Sequence, residues 1–306
     1  MVCETAHMFI GASVRAPSGD SLVGTPRQFL VWCEVMAAQP KRACYVSRME
    51  SSSQQAGKWR AWLELLRVPN LLTVPGDVLA GWLLAVGGVW HPALLWAVLA
   101  SLGLYAFGLI SNDVADFKVD SRERPERPLP SRRILPIHAV TAALTLACVA
   151  PVLAWIAGGE ALNVAVLLFL VITFYNTMMK SSPVVGPLAL GLCRGLNLLL
   201  GAAASTPVLP SGLRGVPFEH MVGIGAAAVV LMVYIAIVSL LAQREVQTGR
   251  ARLIGALLRG LLPLQALFCG AACLWLGAGW AGWFVAAELL VLWPITGWLS
   301  KRFYMS

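Results

Sequence analysis

Three aspartates fall within eight residues, Asp113, Asp116 and Asp120, directly behind a long apolar run and ahead of the tail Arg124-Pro125-Glu126-Arg127-Pro128-Leu129. Their spacing is i, i+3 and i+7, so a helix continued through them would carry all three carboxylates on one face. Carboxylates held that close repel one another unless a cation lies between them. Hard oxygen ligands of this kind suit Mg²⁺, which keeps several waters and takes its remaining ligands from substrate phosphates. The plainer reading is a solvated charged loop capping a membrane helix, because five acids and six bases alternate between Asp113 and Arg133. Three acids on one face at a membrane border favour the functional reading.

The elements that must position these residues are membrane helices. Of the 306 residues, 58% are hydrophobic and only 12% charged, and the mean hydropathy is +0.74. A soluble domain carries about 25% charged residues, so the chain reads as an all-α integral membrane protein. Apolar runs are expected to span at about 71–86, 91–110, 137–157, 162–179, 187–204, 221–242, 253–276 and 280–299, each near the length needed to cross the hydrocarbon. Lipid offers no partner to backbone polar groups, so such runs must be helical. Residues 1–56 are mixed in polarity and are expected to form a disordered extension, with Met49 as an expected alternative start. Residues 57–306 form one polytopic membrane domain.

The net charge of +8 comes from Lys and Arg in short loops between the apolar runs. Basic loops lie before span one and after spans two, four, six and eight, alternating with weakly charged ones. That alternation places both termini and the aspartate motif in the cytoplasm, in an inner or plasma membrane. It also argues against nucleic acid as a partner. The seven cysteines and four histidines show no metal-ligand spacing, and free structural thiols are the expectation. Polar residues inside the spans are more telling. Asp77 in span one either faces a cavity or pairs with a neighbouring helix; the sequence names no partner and leaves both open. Arg194 in span five needs an acid or a phosphate and reads as part of a polar cavity, with Asn197 one turn on.

With Asn112-Asp113-x-x-Asp116-x-x-x-Asp120 followed by Arg124-x-x-Arg127-Pro128-Leu129, the chain resembles the UbiA superfamily of intramembrane prenyltransferases. Arg67-x-Pro69-Asn70-Leu71 entering span one, Tyr175-Asn176 with Lys180 ending span four, and Arg194 agree with it. The resemblance runs from about Arg67 to the C-terminus. It implies a helical bundle around a central cavity, and transfer of a prenyl group from an isoprenoid diphosphate to a lipid-soluble acceptor, often aromatic, with Mg²⁺ as cofactor. Two departures stand out. The family's second pair of aspartates is replaced by Leu241 and Glu245 ahead of Gly249, so one acid survives. Eight spans are found where nine are common, so a final helix is missing or one run is broken in two.

By this resemblance Asn112, Asp113, Asp116 and Asp120 hold Mg²⁺ and diphosphate, and Glu245 anchors a second, weaker Mg²⁺ position. Loss of diphosphate leaves an allylic cation while negative charge builds on the departing oxygen, which Mg²⁺, Arg and Lys stabilise. Arg127 and Lys180 are assigned to phosphate oxygens; plain positive-inside topology is an equal account of Lys180 and Arg244. Asn70, Tyr175, Arg194 and Asn197 are assigned to substrate binding. Tyr105, Phe107, Phe174 and Tyr175 are candidates for aromatic walls around the cation. Two other functions remain in view: a degenerate member that binds prenyl diphosphate without turnover, and a transporter with Asp77, Asp113 and Arg194 along its path.

Overall fold

The computed structural model describes residues 52–209, 215–245 and 251–303. The chain runs α1 (Ser52–Leu65), α2 (Val68–Leu71), α3 (Val74–Val86), α4 (Pro92–Ala115), α5 (Phe117–Glu123), α6 (Pro136–Ala157), α7 (Gly159–Phe174), a π-helical turn (Tyr175–Met179), α8 (Val185–Ala203), a 3₁₀ turn (Thr206–Val208), α9 (Phe218–Glu245), α10 (Ala251–Arg259), α11 (Leu261–Leu276) and α12 (Gly279–Phe303). Among the described residues there is no strand. Eight stretches are long and apolar enough to cross a membrane, and they fall where the eight expected spans do.

Local sequence sets the ends of these helices. Pro92 and Pro136 stand in the first turns of α4 and α6, where a missing N–H costs nothing. His91 caps α4, its Nδ1 accepting from the Ala93 amide at 3.2 Å. Gly158, at φ 151°, makes the tight turn from α6 into α7. The seventh run is broken in two at Gly260, where α10 gives way to α11. A Cβ at Gly260 would lie 2.5 Å from the Tyr234 hydroxyl. Helix α1 begins at Ser52, within the stretch expected to be an extension; the rest of that stretch, Met49 included, lies outside the described residues.

Two hydrophobic cores share α3 and α8. One joins them to α4, α6 and α7; the other joins them to α9, α11 and α12. These two central helices are the most enclosed: 72% of the span containing α8 is buried, against 17% of the span containing α7. Between helices in lipid, small residues permit close backbone approach. A Cβ at Gly81 would lie 2.0 Å from the Leu198 carbonyl oxygen, and one at Gly201 would lie 2.0 Å from the Val78 carbonyl oxygen. The contact is reciprocal, so α3 and α8 touch backbone to backbone. That crossing brings Asp77 beside Arg194 and Asn197.

Candidate active site

A cavity of about 380 Å³ opens between the helices. Helix α4 contributes Ser101, Tyr105, Gly108, Leu109 and Asn112, a single stripe along one face. Helix α8 contributes Leu190, Cys193, Arg194 and Asn197, again one stripe. Helix α9 adds Ile235, Val238, Ser239 and Ala242, and α10 covers it with Ile254 and Leu258. The walls are therefore largely apolar, with polar side chains gathered at two levels.

The outer level, the mouth, lies at the helix ends that carry the aspartates. Helix α4 contains Asn112 and Asp113 and stops at Ala115; α5 restarts at Phe117 and carries Asp120. The expected unbroken helix is thus interrupted at Asp116, although Asp116 N–H still donates to the Asn112 carbonyl and Asp120 N–H to the Asp116 carbonyl. Each carboxylate faces a base. Arg67 Nη2 stands 3.5 Å from Asp113 Oδ1, Lys180 Nζ bonds Asp116 Oδ1, and Arg127 Nη1 donates to Asp120 Oδ2 at 2.6 Å. Among the described residues no three His, Cys, Asp or Glu side chains form a metal-holding group. The shared face predicted for the three aspartates is divided among three ion pairs.

The atoms present nonetheless suit a hard cation in kind. Asp113 Oδ1 is buried and receives no hydrogen bond, and Asn112 brings a further side-chain oxygen to the cavity lining. Oxygen donors at the edge of a cavity are what Mg²⁺ selects. Arg67 itself adopts a left-handed backbone, φ 47° and ψ 55°, uncommon outside glycine and of a kind that clusters at functional sites. It turns the chain from α1 into α2, so that Arg67 and Asn70 both reach the cavity. Opposite them the π-helical turn presents Tyr175 and Asn176, as such turns often do at sites. Asn176 Nδ2 donates to Ser111 Oγ at 2.7 Å and to the Gly108 carbonyl at 3.1 Å, fixing the turn to α4.

The inner level, the floor, is a buried polar network across four helical segments. Asp77 is fully buried. Arg194 Nη1 stands 2.9 Å from its Oδ2, Asn197 Nδ2 donates to the same oxygen at 3.0 Å, and Gln265 Nε2 donates to Oδ1 at 2.6 Å. Arg194 Nη2 also donates to Thr73 Oγ1 at 2.6 Å, and Ser101 Oγ donates to Asn197 Oδ1 at 2.5 Å. Of the two readings of Asp77, pairing with neighbouring helices is the one observed. It does not line the cavity, whereas Arg194, Asn197, Ser101 and Thr73 do.

The structure gathers Asn70, Asn112, Tyr175, Arg194 and Asn197 around one cavity. It holds Asp113, Asp116, Asp120, Arg127 and Lys180 in the ion pairs beside its mouth. Tyr105 lines the cavity, but two other aromatic candidates do not. Phe107 is buried and stacks on Phe169, with ring centroids 5.0 Å apart, and Phe174 is 46% exposed on the outer surface. Glu245 ends α9, while its side chain and that of Arg244 lie outside the described residues. Sequence reasoning missed Gln265 and Ser101. A lone Gln in an otherwise apolar span was the available signal for the first; nothing distinguished the second.

The sequence model of the UbiA prenyltransferase family matches residues 77–304. Two relatives are digeranylgeranylglyceryl phosphate synthases. That of Ignicoccus hospitalis is 32% identical over 152 residues, 50% of this chain and 50% of that one. That of Methanopyrus kandleri is 32% identical over 157 residues, 50% of this chain and 56% of that one. The chain spans about half the length of the curated relatives it matches. In three dimensions it is similar to a structure described as digeranylgeranylglyceryl phosphate synthase in membranes, with TM-score 0.52, 20% identity, and 80% of this chain and 88% of that chain covered. It is also similar to a UbiA homologue from Archaeoglobus fulgidus bound to GPP and Mg²⁺, with TM-score 0.50, 14% identity and coverage of 79% and 96%. At these identities the two solved structures show a shared fold.

Proposed function

The chain belongs to the UbiA prenyltransferase family, and on that premise we propose that it transfers a prenyl group from an isoprenoid diphosphate to a lipid-soluble acceptor inside the membrane, with Mg²⁺ as cofactor. The observation that carries this reading is the form of the cavity: apolar walls between a polar floor and a mouth that adjoins Asp113 and its neighbours. The names of the relatives and the GPP and Mg²⁺ bound by the Archaeoglobus fulgidus homologue support the choice of donor and cofactor.

Asn112, Asp113, Asp116 and Asp120 would hold Mg²⁺, with Glu245 as anchor of a second, weaker position. When bound, Mg²⁺ supplies positive charge to the departing diphosphate. Arg67, Arg127 and Lys180 are each paired with a carboxylate at the mouth, and each can turn to a phosphate oxygen once that carboxylate has another partner. Leu168, Ile172, Leu190 and Ile235 line the walls and exclude water from the allylic carbon while it is cationic. The ring faces of Tyr105 and Tyr175 stabilise its charge. Arg194, Asn197 and Ser101 close the cavity beneath the bound substrates. The alternation of Lys and Arg between loops supports cytoplasmic termini, with the mouth opening to the same side.

The test is to incubate the purified full chain with labelled geranylgeranyl or farnesyl diphosphate, Mg²⁺ and a lipid extract. Release of diphosphate with label transferred to lipid supports the transferase. Retention of the label without release favours the second reading, a non-catalytic binder, for which Leu241 in the place of an acid is the specific observation. Absence of any association contradicts both.

A further inference from the structure

We infer that the side-chain oxygen of Asn176 accepts the hydroxyl of the acceptor substrate and holds it at the mouth, beside the carbon that leaves the diphosphate. The inference rests on the transferase reading above and adds a residue and a substrate class, an alcohol or phenol. Asn176 lies in the π-helical turn, is only 5% exposed, and lines the cavity. Its Nδ2 contacts the Gly108 carbonyl at 3.1 Å and Ser111 Oγ at 2.7 Å. A carbonyl can only accept, so the nitrogen of the amide must be the edge that faces α4. Ser111 agrees with that orientation. Its own proton goes to the Phe107 carbonyl at 2.7 Å, which leaves its oxygen to accept from Asn176.

Both N–H groups of the amide are thereby engaged, and the amide cannot turn over without losing two bonds. Among the described residues no donor reaches Asn176 Oδ1. A buried acceptor without a partner is unfavourable, so this oxygen selects a ligand that brings a proton donor. Its height in the cavity fits the reaction. Gly108 and Ser111 lie within about one turn of Asn112 on α4, which sets the amide within about 6 Å of the level of Asn112 along that helix. That is the level assigned to the cation and the diphosphate. A hydroxyl that donates to Oδ1 keeps its own lone pairs for the allylic carbon. The acceptor oxygen bonds to that carbon as the carbon–oxygen bond to the diphosphate breaks, and the bonding pair leaves with the diphosphate. The hydroxyl proton then passes to a diphosphate oxygen. Asn176 gains and loses no proton; it orients the nucleophile. A ligand whose hydroxyls are blocked would leave Oδ1 unpaired, which is how a site rejects an analogue lacking its donor.

The experiment uses the full chain in lipid nanodiscs, loaded with geranylgeranyl thiolodiphosphate and Mg²⁺. Binding of 1-O-octylglycerol and of its dimethyl ether is measured by calorimetry, with empty nanodiscs as the blank. The two probes differ only in methyl groups that replace the hydroxyl protons. The wild type is expected to bind the free alcohol about tenfold more tightly. Asn176→Leu should lose most of that preference, through weaker binding of the alcohol. Asn176→Asp retains an oxygen acceptor while losing the bonds to α4, and should still prefer the alcohol. A purely structural role for Asn176 would weaken both probes together and leave their ratio unchanged. A wild type with no preference for the alcohol overturns the inference, as does an Asn176→Leu protein with the wild-type ratio. If Asn176→Leu does not fold, the wild-type ratio and Asn176→Asp decide, and an Asp variant without preference overturns it. Loading with the thiolodiphosphate is titrated first. A wild type that does not take it up removes the transferase reading, whereas uptake without an alcohol preference removes this inference alone.

Discussion

At the mouth of the cavity Arg67 stands 3.5 Å from Asp113, with 36% of its side chain exposed; at the floor Arg194 stands 2.9 Å from Asp77, which water does not reach. The same two chemical groups meet in both places under different conditions. A partly solvated pair contributes roughly 0–1 kcal/mol, so the mouth can exchange its partners cheaply when a cation and a phosphate arrive. Breaking a buried pair by removing one partner costs about 3–5 kcal/mol, so the floor is held as built. The mouth is thus suited to binding and release, and the floor to holding helices and ligand in fixed register.

The largest expected effect comes from breaking the floor. Asp77→Ala should destabilise the protein by about 3–5 kcal/mol, whereas Asp116→Ala at the mouth should cost under about 1 kcal/mol. Thermal unfolding of both variants in the same detergent checks this, and equal losses would erase the distinction. Next in size is the α3–α8 crossing that positions the floor. Gly81→Val places a branched side chain against the Leu198 carbonyl and should cost about 1–3 kcal/mol by overpacking. The network would be separated with it, so ligand affinity at the floor should fall together with the melting temperature. Gly223→Val on α9, where a Cβ meets nothing within 4 Å, is the control and should change neither.

How much of this was legible in the sequence differs between the two regions. The eight spans and the aspartate motif were legible because both are local, read from continuous apolar runs and from one short stretch of chain. The pairing at the mouth was only half legible. Arg127 and Lys180 stood out as bases, but their partners Asp120 and Asp116 follow from where α5 and the π-helical turn bring them. That turn also decides the aromatics. Tyr175, its first residue, lines the cavity, while the adjacent Phe174, about 100° away around the helix, is exposed outside it. The floor was least legible. Asp77, Arg194 and Gln265 come from three separate spans, and their meeting depends on glycine contacts that no periodicity announces.

The smallest expected effect concerns the second metal position. Leu241 is 40% exposed near the end of the sixth span, so Leu241→Asp removes no buried packing and should cost less than the roughly 2.5–3.5 kcal/mol of an acid at a span centre. With two acids four apart, the Mg²⁺ concentration for half-maximal turnover should fall, since more charged ligands bind the cation more tightly. Glu245→Gln should raise it. Measuring the Mg²⁺ dependence of all three proteins checks both directions, and two flat responses would favour the non-catalytic binder.

The central claim is that the mouth exchanges its ion pairs for a cation and a diphosphate while the floor stays intact. It is tested most directly by calorimetric titration of geranylgeranyl thiolodiphosphate into the wild type and Asp113→Ala, each with and without Mg²⁺. The account predicts Mg²⁺-dependent binding to the wild type, and loss of that dependence in Asp113→Ala at an unchanged melting temperature. Undiminished Mg²⁺-dependent affinity in Asp113→Ala would contradict it.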